Sequence, residues 1–211
     1  MQPTTTKQRK VLRQDRGVTI NSRLTAMFGG LLFVLLGIEG LTIVLIHKDL
    51  YLHIFFGMLL IPPILFKLGT TVYKAFKYYV NSPGYKRKGP PPTILRLLGP
   101  VVIILTVLLM ATGIALLVAP DSMRANLLFF HRAAFVLWFG AMTIHVLAHL
   151  KETFEVNIAE WTKSAFKPLP GSTFRKGLVL FSVVAGMPLA IWIGSKTNSW
   201  LHWFYGIGFH K

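Results

Sequence analysis

Five apolar stretches dominate this chain, each long enough to cross the ~30 Å hydrocarbon core of a bilayer as an α-helix. They fall at residues 24–46, 52–73, 97–118, 127–150 and 178–194, the last being the shortest. A backbone in hydrocarbon has no water to bond to, so apolar runs of this length satisfy their peptide groups internally, as helices. A chain of 211 residues that is 53% hydrophobic, with mean hydropathy +0.56, is too apolar for a soluble domain of its size. The sequence therefore predicts an all-α integral membrane bundle of five transmembrane helices.

Charge orients the bundle. The 23 lysines and arginines outnumber the 7 acids, giving a net charge of +16. Residues 1–23 hold six of the basic side chains, residues 74–96 six more and residues 151–176 five, against Lys48, Arg124, Lys196 and Lys211 on the other side. The positive-inside rule then predicts an N-terminus on the cytoplasmic side of the membrane and a C-terminus outside. The basic excess reads as a topology signal with affinity for anionic membrane lipid, and not as a nucleic-acid footprint. The first apolar run is too long for a signal-peptide core and reads as a retained anchor.

Four segments follow. Residues 1–23 are a basic cytoplasmic tail, and residues 24–150 hold four spans. Residues 151–177 contain ETFEVNIAEWTKSAF, which mixes apolar and charged positions near helical spacing and predicts an interfacial helix along the inner surface. Residues 178–211 add the fifth span and an aromatic tail, SWLHWFYGIGFHK, suited to the outer interface. Short outer connections make spans one and two, and spans three and four, antiparallel neighbours. The inner loop VNSPGYKRKGPPP is too rich in Pro and Gly to be helical throughout.

Histidines carry the chemistry. Span four places His131, His145 and His149 on one face, because fourteen residues at ~100° each return to within ~40° of the starting direction. At ~1.5 Å per residue, His131 and His145 stand ~21 Å apart along the axis, most of a bilayer core. His53 lies just inside the outer end of span two, and His131 about a turn inside the outer end of span four. The two rings therefore reach a similar depth. The chain has no cysteine, which excludes a covalent haem site, a thiolate zinc site and an iron–sulfur cluster. Two imidazoles from facing helices suit haem b, so His53 and His131 are its predicted iron ligands. Gly57, one turn from His53, and the small Ala134 near His131 would admit a flat macrocycle.

At the inner end, His145 and His149 are neighbours on one face. Opposite them, fourteen residues after His53, stands Lys67, which either ligates a second haem as the free amine or snorkels to the headgroups. One haem is expected, and two are possible. Glu39, in span one at the depth of the outer pair, is an intramembrane carboxylate. It either orients a ligand histidine, moves protons to or from a quinol, or bonds a neighbouring helix as the neutral acid. Arg132 is a candidate partner for Glu39 or for a haem propionate. Pro62 and Pro63 predict a kink in span two, while Gly29, Gly30, Gly37 and Gly40 predict close packing of span one.

In LHIFFGMLLIPP, with His53, and HRAAFVLWFGAMTIHVLAHL, with His131 and His145, the chain resembles bacterial cytochrome b561 and related di-haem membrane cytochromes b over residues 24–150. The resemblance implies a four-helix haem-binding core that passes electrons between quinone or quinol and an oxidoreductase partner subunit, such as a molybdopterin enzyme or a hydrogenase. Lys67 departs from it, standing where a second ligand on span two would be. Two other classes are consistent with the residues: a haem-free scaffold or assembly subunit, and a proton or metal transporter lined by Glu39 and the histidines. No nucleophile–base–orienter set and no nucleotide loop supports hydrolysis or phosphoryl transfer.

Overall fold

A computed structural model describes residues 6–90, 92–163, 169–194 and 197–208, and every regular element among them is helical. In chain order these are α1 (Thr6–Val44), α2 (Leu50–Leu59), α3 (Ile61–Tyr79), the short α4 (Pro83–Lys88), α5 (Thr93–Val118) and α6 (Asp121–Ile158). A π-helical turn (Ala159–Lys163) prolongs α6, and α7 (Ser172–Gly194) and α8 (Asn198–Gly208) follow. Five units are long and apolar enough to cross a membrane: α1, α2 with α3, α5, α6 and α7. Large apolar side chains such as Phe129, Phe139 and Leu147 of α6 stand exposed, a surface that suits hydrocarbon and not water.

The local chemistry explains the breaks. Asp49 starts α2, its carboxylate accepting from the Leu52 amide at 3.1 Å. Pro62 and Pro63 have no N–H to return to the preceding turn, and α2 hands over to α3 at Leu60. Asn81 and Gly89, in left-handed backbone at φ 60 and 77, bracket α4 within the Pro/Gly-rich loop.

Two segments prolong the spanning helices. Much of the basic tail is helical, since α1 already begins at Thr6. The stretch expected as an interfacial helix is helical and continues α6 through Lys163, with residues 164–168 outside the described part. Nothing in ETFEVNIAEW breaks a helix, and Asn157 and Glu160 find partners on other helices. The Asn157 amide donates to the Ala26 carbonyl at 3.0 Å. Gly30 makes this approach possible, since a Cβ there would come 2.5 Å from Asn157 Nδ2. Glu160, with 0% exposure, accepts from Arg175 at 2.5 Å, Arg23 at 3.0 Å and the Ser172 hydroxyl at 2.7 Å. A buried carboxylate is tolerated only with such full compensation, and this cluster ties α1, the π-turn and α7 together.

The bundle has two parts. Helices α1, α2, α3 and α7 pack into a body around Leu32, Leu35, Met58, Leu59, Leu60, Ile64 and Ala190. Pro63 frees the Leu59 carbonyl from its helical partner, and Gly186 of α7 rests against that oxygen, where a Cβ would come within 2.6 Å. Helices α5 and α6 form a hairpin pinned by the Trp138 indole donating to Thr106 Oγ1 at 2.9 Å. The hairpin meets the body chiefly where α6 touches α1. The end of the bundle bearing α4 is called the basic end below, and the end bearing α8 the aromatic end.

Candidate cofactor cavity

Between hairpin and body runs one cavity of about 1320 Å³, above the ~300–1,000 Å³ typical of a small-molecule pocket. Glu39, His53, Gly57, Lys67, His131, Arg132, His145 and His149 all line it. Residues chosen for depth and helix face thus share a single space.

At the aromatic end, the rings of His53 on α2 and His131 on α6 meet in an edge-on arrangement, with centroids 6.4 Å apart and planes inclined by 74°. Their Nδ1 atoms are engaged. His53 Nδ1 lies 2.9 Å from Glu39 Oε1 and 3.2 Å from Thr42 Oγ1. The Thr42 hydroxyl spends its one proton on the Glu39 carbonyl at 2.6 Å, so His53 donates Nδ1–H to the carboxylate. His131 Nδ1 lies 3.0 Å from Thr112 Oγ1, whose proton goes to the Leu108 carbonyl at 2.8 Å, so His131 donates as well. These networks assign both rings as Nδ1–H tautomers and leave Nε2 of each as the lone-pair atom.

Two imidazoles brought together in this way would suit a metal between them. With metal–imidazole bonds of ~2.0–2.1 Å, rings on opposite sides of one ion have centres about 6 Å apart. Among the described residues, no three His, Cys, Asp or Glu side chains converge on a common point. A bare ion would lack ligands here, whereas a metal held in a cofactor that brings donors of its own would need only two from the protein. The walls are open beside the two rings. Gly37 and Gly40 line the cavity, and a Cβ on either would meet nothing within 4 Å. These two glycines therefore do not serve the close packing expected of them, while Gly29 and Gly30 do.

Other expectations change in detail. Glu39 lies over Gly57, its Oε1 in ordinary contact distance, 3.5 Å, of where a Cβ would stand. The tighter approach is at Gly113 of α5, where a Cβ would come 3.2 Å from His131 Cε1. Phe135, and not Ala134, lines the cavity beyond His131. Arg132 lines the wall exposed and is not among the described partners of the Glu39 carboxylate, which accepts from His53. Helix α8 closes this end, with Trp200 and Phe204 in the lining and the Tyr205 hydroxyl accepting from the Leu50 amide at 3.1 Å.

The basic end is built differently. His145 and His149 lie one turn apart on α6, with ring centroids 4.8 Å apart, and the buried His145 Nδ1 has no hydrogen-bond partner among the described residues. His149 Nδ1 is 4.0 Å from Glu152. Lys67 does not snorkel outward. Its ammonium turns to α1 and donates to the Thr25 carbonyl at 2.7 Å, passing over Gly29, where a Cβ would come within 3.2 Å of Nζ.

Sequence reasoning missed Thr42, Thr112, Gly113 and the Arg23–Glu160–Arg175 cluster. The spacing of Glu39 and Thr42, three residues apart on α1, is the one local signal that could have found any of them. Comparison with protein-family models, with curated proteins and with solved structures returns no match.

Proposed function

We propose that this chain is a membrane b-type cytochrome subunit that binds haem b at the aromatic end of its cavity, where His53 and His131 would hold the iron. In this reading it carries electrons between the quinone pool and a redox partner, such as a molybdopterin oxidoreductase, in the manner of the cytochrome b561-like proteins it resembles. It would sit in a bacterial cytoplasmic membrane with the basic end inside. The observation that carries the proposal is the pair of imidazoles brought from two helices to a centroid separation of 6.4 Å, each tied through Nδ1.

Bound haem supplies reversible one-electron chemistry at its iron. The chain's own residues do the rest. Glu39 and Thr112 hold the two rings in the tautomer that offers Nε2. The carboxylate also makes the His53 ring a stronger donor than the hydroxyl makes His131. The apolar walls and α8 keep water away. Arg132 on the cavity wall offers a cation to a carboxylate substituent of the macrocycle.

The test is a dithionite-reduced minus oxidised spectrum of the purified chain, with haem quantified per polypeptide. The expected result is the α and Soret bands of six-coordinate haem b, absent in His53→Ala and in His131→Ala. An unchanged spectrum in both variants would overturn the ligand assignment. A colourless wild-type protein would favour a haem-free scaffold or a transporter.

A further inference from the structure

The basic end of the cavity carries a charge pattern that the histidine pair leaves unused. Lys67, Thr71 and Lys74 follow one another at helical spacing on α3, and all three line the cavity. Lys88, the last residue of α4, lines the same mouth and donates to Ser22 Oγ of α1 at 2.8 Å. Three lysines thus meet one carboxylate, Glu152, along this wall. An ammonium has three donors, and the one hydrogen bond described for Lys67 goes to Thr25. Past these groups the lining turns apolar, with Leu31, Val146 and Val179.

We infer that this end binds one anionic phospholipid, its phosphate held by Lys74, Lys88 and the Ser22 hydroxyl and one acyl chain entering the apolar part of the cavity. Phosphate oxygens accept charge-assisted hydrogen bonds from ammonium groups, and basic pockets between membrane helices attract anionic headgroups. A free phosphate would use the lysines but not the apolar wall continuous with them, which is why the lipid is the assigned occupant. This inference is independent of whether haem occupies the other end.

Native mass spectrometry of the full chain, delipidated in detergent and titrated with phosphatidylglycerol or phosphatidylcholine of matched acyl chains, tests it. One phosphatidylglycerol should bind per chain with a preference of about thirtyfold over phosphatidylcholine, the effect expected of two lysines. Lys74→Ala with Lys88→Ala should abolish the preference. Lys77→Ala with Lys86→Ala should keep it, because those ammoniums lie over the rings of Tyr73 and Tyr78, at 5.5 and 4.1 Å, and do not line the cavity. Equal loss in both double variants would reduce the effect to general surface charge and overturn the site. Equal binding of the two lipids by the wild type would also overturn it, as would displacement of phosphatidylglycerol by equimolar inorganic phosphate. These two wild-type measurements decide the matter even if a variant misfolds.

Discussion

His53 with His131, and His145 with His149, bring two imidazoles together by different means. The first pair spans two helices and meets across open space, and each ring is fixed from behind by a hydrogen bond. The second pair sits on one helix, one turn apart, with His145 Nδ1 unpartnered among the described residues. Side chains on one helix face point the same way, so their lone pairs do not oppose each other. A clamp of two imidazoles needs histidines on two backbones, and among the described residues only the aromatic end supplies both.

The sharpest attempt to break this contrast is the double variant His145→Ala, His149→Ala. Its haem content per chain should match wild type, whereas His131→Ala should lose essentially all of it. Loss of half the haem from the double variant would mean that both ends are occupied. A finer test concerns the anchoring groups. Glu39→Gln replaces a carboxylate acceptor with a neutral one and makes the His53 ring less electron-rich, which destabilises the ferric state. The midpoint potential should rise by about 60 mV, the one-electron equivalent of a tenfold change, as read by spectroelectrochemical titration. Thr112→Val removes a neutral acceptor from His131. The same titration should show a smaller shift of the same sign, in keeping with a net hydrogen bond of about 1 kcal/mol. If Thr112→Val moved the potential more than Glu39→Gln, the two ligands would not be anchored unequally as described.

Periodicity and length were enough to read the five spans, because burying peptide groups in hydrocarbon leaves few alternatives. Equal depth of His53 and His131 followed from counting turns, and the two rings do meet. What turned these rings into a matched pair was not legible. Thr112 is one threonine among many until the fold brings α5 against α6. Gly37 and Gly40 look like packing glycines until the hairpin is seen to stand away from them. Likewise, Glu160 and Arg175 belong to a segment that reads as interfacial, and only the continuation of α6 brings them to α1. Periodicity describes one helix at a time, whereas these features belong to gaps and contacts between helices.

The contact between Leu59 and Gly186 has a consequence for how this sequence is free to vary. Proline at 63 leaves an oxygen that the fifth span approaches at its closest point, and glycine at 186 is what permits the approach. Alanine at 186 would force the two backbones apart. Restoring an N–H at 63 would give that oxygen a partner in its own helix, yet the glycine would still be needed, because a Cβ at 186 would also come 3.2 Å from Leu59 Cα. Position 186 is thus constrained by the backbone of a residue more than a hundred places earlier in the chain.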